Sequence, residues 1–203
     1  MTSLTLVRHG QTDWNLARRI QGTTDVPLND TGREQARDAA AAIRRDLEAE
    51  NFPPAVVVAS DLSRARETAE IIAAELGLAA PRLYPVLRER AYGEAEGVLV
   101  EEFGERFGGW DRDSIPGAER RGDLRRRGIR AARRVVRDVR RDTAPTPVSI
   151  IAVSHGALIA ELIRHASGDT LPLPGQRLGN GSLHRFVVER HSIRLLSYAG
   201  AVL

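Results

Sequence analysis

The most informative stretch of this chain is Leu6-Val7-Arg8-His9-Gly10-Gln11-Thr12-Asp13-Trp14-Asn15. It starts within an apolar run that is typical of a buried strand, and an arginine, a histidine and a glycine follow directly. In an α/β sheet the carboxyl ends of the strands open onto the crevice where ligands bind, so Arg8 and His9 are predicted to emerge beside a bound ligand. Gly10 has no Cβ, so the chain can turn sharply there and another backbone or a ligand can come close.

Further short apolar runs predict the rest of the sheet. Residues 4–7, 55–59 and 148–153 are mostly β-branched and are bounded by polar residues or proline, which is typical of central strands. Leu183–Val188 and Ile193–Tyr198 are predicted as two further strands nearer an edge, joined by a tight connection.

Helices are predicted between these strands. Residues 31–49 are rich in alanine and begin with Thr31 and Glu34 at the spacing of a capping box. A second helix is predicted over 62–76, and a third over 156–166, each followed by a glycine that can end it. The alternation of strand and helix predicts an α/β three-layer sandwich with a mostly parallel central sheet and helices on both faces.

The 203 residues suit a single domain, 1–203. Residues 92–117 break the alternation of strand and helix with repeated glycines, acidic residues and the aromatic side chains of Phe103, Phe107 and Trp110. We interpret this segment as a small cap insertion. Insertions on a rigid sheet often carry substrate selectivity, so we expect the cap to influence which compound fits.

Composition excludes several classes of protein. There is no cysteine, which rules out disulfides, a thiolate nucleophile and zinc sites with cysteine ligands. No apolar run is long enough to span a bilayer, and Met1 leads almost directly into a strand rather than a signal sequence, so we expect a cytoplasmic protein without a membrane partner. All 30 basic residues are arginine, and the chain has 27 acidic residues. This small excess of positive charge does not require a nucleic-acid partner.

One segment nevertheless raises a nucleic-acid hypothesis, because residues 119–142 hold eleven arginines against four acids. Its apolar residues fall at helical spacing, which favours an amphipathic helix with a solvated arginine face. These residues are Leu124, Ala131, Ala132, Val135, Val136 and Val139. We therefore expect no nucleic-acid partner.

Three distant motifs accompany the opening stretch. They are Ser60-Asp61-Leu62-Ser63-Arg64-Ala65-Arg66-Glu67-Thr68-Ala69, Leu87-Arg88-Glu89-Arg90-Ala91-Tyr92-Gly93 and Val153-Ser154-His155-Gly156. In this order and at these separations the four pieces resemble the histidine phosphatase superfamily, which includes cofactor-dependent phosphoglycerate mutases. The resemblance covers nearly the whole chain and implies a phosphoglycerate-mutase-like fold.

Arginine suits the binding of a phosphate ester, whose negative oxygens repel an incoming nucleophile. The planar guanidinium binds two phosphate oxygens at once and stays protonated, so Arg8 and Arg64 are predicted to clamp the phosphoryl group. His155 is predicted to supply a further N–H. Gly156 follows it and opens a helix whose N-terminus also favours an anion.

His9 is the predicted nucleophile. One ring nitrogen attacks phosphorus, while the other carries a proton and donates it in a hydrogen bond to a nearby acceptor. The resemblance implies that this acceptor is a backbone carbonyl near Gly10 and that the product is a phosphohistidine. It also implies that Glu89 is the general acid and base that each half-reaction requires. Asp61 is the rival acid.

The resemblance further implies roles in substrate binding for residues around the predicted pocket. These residues are Asn15, Gln21, Gly22, Thr23, Tyr92 and Gly156.

Each residue also has a purely structural interpretation. His9 and His155 could be buried core histidines, Arg8 and Arg64 could form ion pairs with Glu67 or Asp61, and Glu89 could be a solvated loop acid. The co-occurrence of the four motifs in order favours the functional interpretation. For the remaining histidines, which match no motif, the structural interpretation is preferred: His165, His184 and His191.

The sequence favours a phosphatase that acts on a small phosphorylated metabolite and releases inorganic phosphate. The alternative is a phosphoglycerate mutase primed by 2,3-bisphosphoglycerate. A third hypothesis is a non-catalytic phosphate-binding module. Against the mutase stands the acidic stretch 98–103, which is predicted to repel a second phosphate or a carboxylate. We expect that a phosphatase of this kind needs no cofactor. We also expect no metal, because the arginines would repel a cation. A homodimer remains one possible oligomeric state.

Overall fold

The computed structural model describes residues 1–51, 54–108, 113–199 and the backbone of 201–202. Trp110 of the predicted cap lies outside these ranges. The strands in the described part are β1 (Thr2–Arg8), β2 (Ala55–Ala59), β3 (Arg82–Leu83), β4 (Ser149–Ser154), β5 (Leu183–Val188), β6 (Ile193–Tyr198) and β7 (Ala201–Val202). The α-helices there are α1 (Asp13–Leu16), α2 (Asp30–Ala49), α3 (Ser63–Leu76), α4 (Phe103–Phe107), α5 (Arg121–Thr143) and α6 (Gly156–Ser167).

The strands form one sheet in the order β3-β2-β4-β1-β5-β6-β7. β1, β2, β3 and β4 pair in parallel, while β5 runs antiparallel to β1 and β6 antiparallel to β5. Arg8 at the end of β1 lies opposite Ser154 at the end of β4, and Ala59 of β2 lies opposite Val153. The three strands predicted to be central therefore end together at one edge of the sheet.

Helices cover both faces of the sheet, as the strand and helix alternation predicts. Leu4 and Leu6 of β1 belong to the core cluster that also holds apolar residues of α5 and α6. Val7 points to the opposite face, into the cluster formed with α2 and α3. This alternation follows from the two-residue period of a strand, and it confirms the three-layer α/β sandwich.

The ends of the helices follow local chemistry. α3 and α6 are followed by Gly77 and Gly168 in the left-handed conformation, as predicted. The predicted capping box at Thr31 and Glu34 is wrong, because α2 begins one residue earlier, at Asp30, and Asn29 caps it by accepting the Gly32 N–H at 2.9 Å. Asparagine is at least as good a cap as threonine, so the earlier residue starts the helix.

The arginine-rich segment forms α5, whose apolar residues are buried as the helical spacing predicts. Two-residue strands β3 and β7 were missed by the sequence analysis, because such short strands carry no alternating pattern. No helix of the described ranges is long and apolar enough to cross a membrane.

The cap insertion packs around its own small apolar cluster. It contains a 3-10 turn at Gly93–Ala95 and the short helix α4. Phe103 is fully buried there and packs in one cluster with Tyr92 and with Ile20 of the loop after β1. This cluster joins the cap to the loop that leads away from His9.

Candidate active site

His9 lies directly after β1, at the carboxyl edge of the sheet. Its backbone N–H donates to Ser154 O at 3.0 Å, and its carbonyl accepts from Asn180 Nδ2 at 2.9 Å. At Gly10, a Cβ would lie 2.2 Å from the carbonyl oxygen of Gly32. The close approach of another backbone predicted for Gly10 is therefore present, and it holds the turn that presents His9.

The His9 ring is buried and has a defined tautomer. Nδ1 lies 2.7 Å from Gly10 O, and a carbonyl only accepts, so Nδ1 carries the proton and Nε2 keeps its lone pair. Burial lowers the pKa of His9 well below its usual value, and the charges of Arg64 and Arg8 lower it further against the opposing effect of the Gly10 hydrogen bond. The imidazole is therefore neutral at physiological pH, as a nucleophile must be.

Arg64 and Arg8 reach the same place from α3 and β1. Arg64 is fully buried and donates from Nη2 to Gly22 O at 2.8 Å and from Nη1 to Thr24 O at 2.9 Å. Arg8 donates from Nη1 to Leu178 O. Within the described residues, the buried Nε atoms of both arginines have no hydrogen-bond partner.

The structural alternative of ion pairs for these two arginines is wrong. Asp61 is engaged by Arg88, and Glu67 by Arg33. Arg64 and Arg8 thus hold their positive charges over the cavity with backbone carbonyls as their hydrogen-bond partners.

His155 precedes α6 and is completely buried. Its ring centroid is 5.1 Å from that of His9, and neither ring nitrogen has a partner in the described part of the chain. Burial, followed by the charges of nearby arginines, Arg64 above all, lowers the pKa of His155 well below its usual value. In the ligand-free site His155 is therefore a neutral imidazole that offers one N–H.

These unsatisfied groups point to an anion. Buried polar atoms normally have partners, and leaving them without one is costly. The four such nitrogens here are Arg8 Nε, Arg64 Nε, His155 Nδ1 and His155 Nε2. Guanidinium and imidazole N–H groups around the neutral imidazole of His9 suit a tetrahedral oxyanion such as phosphate.

Glu89 occupies the N-terminus of α6. Its carboxylate accepts the N–H groups of Ala157 at 3.1 Å, Leu158 at 3.2 Å and Arg90 at 2.9 Å. The expectation that this helix end faces the substrate anion needs correction, because the Glu89 carboxylate already satisfies the N–H groups of Ala157 and Leu158. Glu89 itself lines the cavity beside Arg8 and Gly156 and can exchange a proton with a ligand there.

The rival acid is not at the site. Asp61 binds Arg88 through both oxygens, at 2.7 and 2.5 Å, and does not line the cavity. These hydrogen bonds from Arg88 lower the pKa of Asp61, against the effect of its partial burial. Because Asp61 lies outside the cavity, its carboxyl group is not placed to exchange a proton with a ligand there.

The structure brings most of the predicted binding residues to the same cavity, which measures about 410 Å³. Asn15, Gln21, Gly22 and Tyr92 all line it. Thr23 does not, because its N–H and hydroxyl both donate to Glu96, at 2.9 and 3.1 Å.

Glu96 was missed by the sequence analysis. Its carboxylate accepts N–H groups of Thr23 and Thr24 from the loop after β1 and of Tyr92 from the cap. Burial alone would raise the pKa of Glu96, but these hydrogen bonds and that of the Thr24 hydroxyl lower it. No pattern in the sequence indicates contacts to backbone groups more than 70 positions away.

The acidic stretch 98–103 does not have the expected position. Val100 is its only member among the cavity-lining residues that the structure describes, and Glu101 and Glu102 are exposed elsewhere. The expected repulsion of a second anion is therefore wrong. Among the described residues, no group of three histidine or acidic side chains is arranged to hold a metal.

Comparison with known proteins assigns this arrangement to a class. A sequence model of the histidine phosphatase superfamily (branch 1) matches residues 4–200. The chain is 35% identical to a Bacillus subtilis (strain 168) protein named Uncharacterized phosphatase PhoE, covering 98% of this chain and 94% of that one. It is also 35% identical to Probable phosphoglycerate mutase GpmB of Photorhabdus laumondii, covering 97% and 89%.

A solved structure supports the same assignment. The mycobacterial glucosyl-3-phosphoglycerate phosphatase, in complex with VO3, superimposes with a TM-score of 0.80 at 28% identity, covering 99% of this chain and 100% of that one. The chain belongs to the histidine phosphatase superfamily, with the fold of its members. Membership indicates phosphatase or mutase activity.

Proposed function

We propose that this protein is a phosphatase that hydrolyses a small phosphate monoester through a phosphohistidine at His9. The observation that carries the proposal is the 2.7 Å contact from His9 Nδ1 to Gly10 O, which leaves Nε2 unprotonated beside buried nitrogens of Arg8, Arg64 and His155 that have no partner among the described residues. A neutral imidazole facing guanidinium groups is the combination that attack on a phosphoryl group requires.

The first half-reaction forms the phosphohistidine. His9 Nε2 attacks phosphorus while the P–O bond to the leaving group breaks, and Glu89 in its protonated form gives the leaving oxygen its proton. Arg8, Arg64 and one N–H of His155 bind the phosphoryl oxygens as charge develops. The product is a neutral alcohol and a phosphorylated His9.

The second half-reaction releases phosphate. Glu89, now a carboxylate, takes a proton from water as the water oxygen attacks phosphorus and the bond to His9 Nε2 breaks. Inorganic phosphate leaves and the neutral imidazole is restored. This cycle requires neither metal nor cofactor, so we expect the rate to persist in the presence of a chelator.

A phosphoglycerate mutase is the second candidate, because the chain also matches a mutase-named relative over nearly its full length. In that case a second hydroxyl would replace water, and 2,3-bisphosphoglycerate would prime His9. A substrate panel separates the two: phosphate release supports the phosphatase, and exchange between 3- and 2-phosphoglycerate supports the mutase.

The intermediate is the direct test. Rapid quenching in alkali during turnover of 4-nitrophenyl phosphate, followed by mass spectrometry, should locate a phosphoryl group on His9. His9→Ala should abolish both the label and the turnover, whereas His191→Ala, at an exposed position, should retain both. Turnover by His9→Ala near the wild-type rate would refute the proposal.

A further inference from the structure

The backbone that carries Glu89 is held by side chains from other elements. Residues 86–89 include part of the 3-10 turn Pro85–Leu87, and each of these four successive carbonyls accepts a side-chain hydrogen bond. The Ser154 hydroxyl donates to Leu87 O at 2.8 Å. A single guanidinium group, that of Arg127, donates to the other three carbonyls. The position of this backbone therefore depends on residues far from it in the sequence.

Arg127 uses every N–H of its guanidinium group. Nη1 donates to Val86 O at 3.0 Å and to Arg88 O at 2.8 Å, and Nη2 donates to Glu89 O at 3.1 Å. Nε and Nη2 also donate to the two carboxylate oxygens of Glu119, at 2.8 and 2.7 Å. A guanidinium group has five N–H donors in one plane, and these contacts account for all five. Lysine has three donors on one nitrogen and cannot make this set of contacts.

Glu119 fixes the orientation of Arg127 and is itself bound to the segment after Glu89. The side chains of the pair are only 21% and 19% exposed. The Glu119 N–H donates to Ala91 O at 2.9 Å, and the Glu119 carbonyl accepts from Arg90 Nε at 2.8 Å. The pair therefore holds the chain on both sides of Glu89.

The two helices that hold Glu89 pack directly on each other. Arg127 lies on α5 and binds the Glu89 carbonyl, while backbone N–H groups at the N-terminus of α6 bind the Glu89 carboxylate. Next to Arg127, Gly128 is buried, and a Cβ there would lie 3.4 Å from Leu162 Cγ of α6. The backbone and the carboxyl group of Glu89 are thus held by two elements in close contact.

We propose that Arg127 is a positioning residue for proton transfer by Glu89. Its guanidinium group, oriented by Glu119, sets the backbone from which the Glu89 side chain reaches the leaving oxygen. Arg127 does not line the cavity, so it acts through Glu89 and not on the substrate. This inference rests on the proposed function, since it concerns the proton donor of the same reaction.

The test measures the first half-reaction by itself. With the protein in excess over the ester, the rate of alcohol release reports phosphoryl transfer to His9, and rapid quenching followed by chromatography measures that rate. Benzyl phosphate is an alkyl ester whose leaving oxygen needs a proton, whereas 4-nitrophenolate leaves without one. The ratio of the two rates therefore reports on proton transfer by Glu89 and not on binding of the phosphoryl group.

Arg127→Lys keeps a positive charge but loses the planar set of five donors. It should lower the rate with benzyl phosphate by roughly tenfold relative to the rate with 4-nitrophenyl phosphate, because a small displacement of a proton donor removes part of its effect. The matched control is Arg126→Gln. Arg126 is the preceding residue of α5, its side chain is 64% exposed and pairs with Asp123, and its replacement should leave the ratio unchanged.

A double variant shows whether Arg127 acts through Glu89, because two changes that affect the same step are not additive. Glu89→Gln cannot give a proton, so adding Arg127→Lys to it should not lower the ratio of the two rates further. Glu119→Gln removes the charge of the pair and keeps the length of the side chain. It should lower the ratio in the same direction, and it carries the test if Arg127→Lys does not fold.

The outcomes separate this inference from the proposed function. If the wild-type protein labels His9, the phosphatase stands. The positioning role is then refuted by equal losses on both esters, by an unchanged ratio in the Arg127 and Glu119 variants, or by a further loss in the double variant. If the wild-type protein releases neither alcohol and His9 is never labelled, both proposals are refuted.

Discussion

The rings of His9 and His155 lie with their centroids 5.1 Å apart and their planes tilted by 56°. They come from the ends of the paired strands β1 and β4, which hold the Arg8 and Ser154 backbones in register. Because both rings are buried beside Arg64, neither gains a proton readily, and the pair is neutral.

Phosphate should stabilise the protein, because it satisfies the buried N–H groups around His9. At one hundred times the dissociation constant the expected gain is about 2.7 kcal/mol, or a rise in Tm of roughly 5 to 10 °C for a chain of this size. Thermal denaturation with sodium phosphate, compared with sodium chloride at equal ionic strength, measures this.

A pair of variants on α3 controls this experiment. Arg64→Gln should lose the phosphate-dependent rise in Tm, whereas Arg66→Gln, whose side chain is 51% exposed and pairs with Glu70, should keep it. A rise of equal size in both variants would place the phosphate site elsewhere.

Glu89→Gln should slow hydrolysis of alkyl phosphates by roughly 100-fold or more, and that of 4-nitrophenyl phosphate much less. Alkoxide leaving groups need protonation and 4-nitrophenolate does not, so the two substrates report on the proton donor. The amide oxygen of Gln can still accept from Ala157 N, so the fold should persist. Rates are compared by phosphate release for both esters.

Asp61→Asn is the matched test of the rival acid. It removes a charge that faces Arg88 rather than the cavity, so its effect should be similar for both esters. A selective loss on alkyl esters in Asp61→Asn, with none in Glu89→Gln, would reverse the assignment.

Thr68 should be required for the position of the His9 turn. Its hydroxyl accepts the Gly10 N–H at 3.0 Å and donates to Arg64 O at 2.7 Å, so it joins the two halves of the phosphoryl pocket. Thr68→Val leaves the buried Gly10 N–H without a partner and should lower the free energy of unfolding by about 1 to 3 kcal/mol. Thr68→Val should also lower kcat. Thr68→Ser keeps the hydroxyl and should keep the free energy of unfolding and kcat near their wild-type values.

Urea denaturation and steady-state kinetics measure these two effects. A Thr68→Val variant with wild-type stability and wild-type kcat would show that the hydroxyl does not position the turn.

Acid should destabilise the ligand-free protein through buried histidines. Burial lowers the pKa of His184 to about 4, while the unfolded chain has the ordinary value of about 6.5. Below pH 6.5 the unfolded state binds the proton and the folded state does not, so the free energy of unfolding falls with pH until about pH 4. Between pH 7 and pH 5 the loss from His184 is about 2 kcal/mol.

Urea denaturation at pH 7 and pH 5 checks this. His184→Gln should reduce the change in the free energy of unfolding between pH 7 and pH 5. Ser182→Ala removes the hydroxyl partner of His184 Nε2 but keeps the imidazole, so it should preserve that change. If the free energy of unfolding changes as much between pH 7 and pH 5 in His184→Gln as in the wild type, His184 is not the source of the loss.

Local and periodic features of this protein could be predicted from its sequence. Apolar runs predicted the five longer strands, glycines predicted the ends of α3 and α6, and the motif around Arg8 and His9 placed these two side chains at a strand end. These features depend on neighbours in the chain, so they can be read along it. The four motifs in order also indicated the superfamily to which the chain belongs.

Which side chains come into contact depends on the tertiary structure. In the folded protein Glu89 accepts hydrogen bonds at the N-terminus of α6, and Asp61 binds Arg88 outside the cavity. Thr23 donates to Glu96, and most of the acidic stretch 98–103 does not line the cavity. Arg127 of α5 binds the backbone of residues 86–89. Such contacts join residues tens of positions apart, and the packing of helices and loops sets them, which no local pattern encodes.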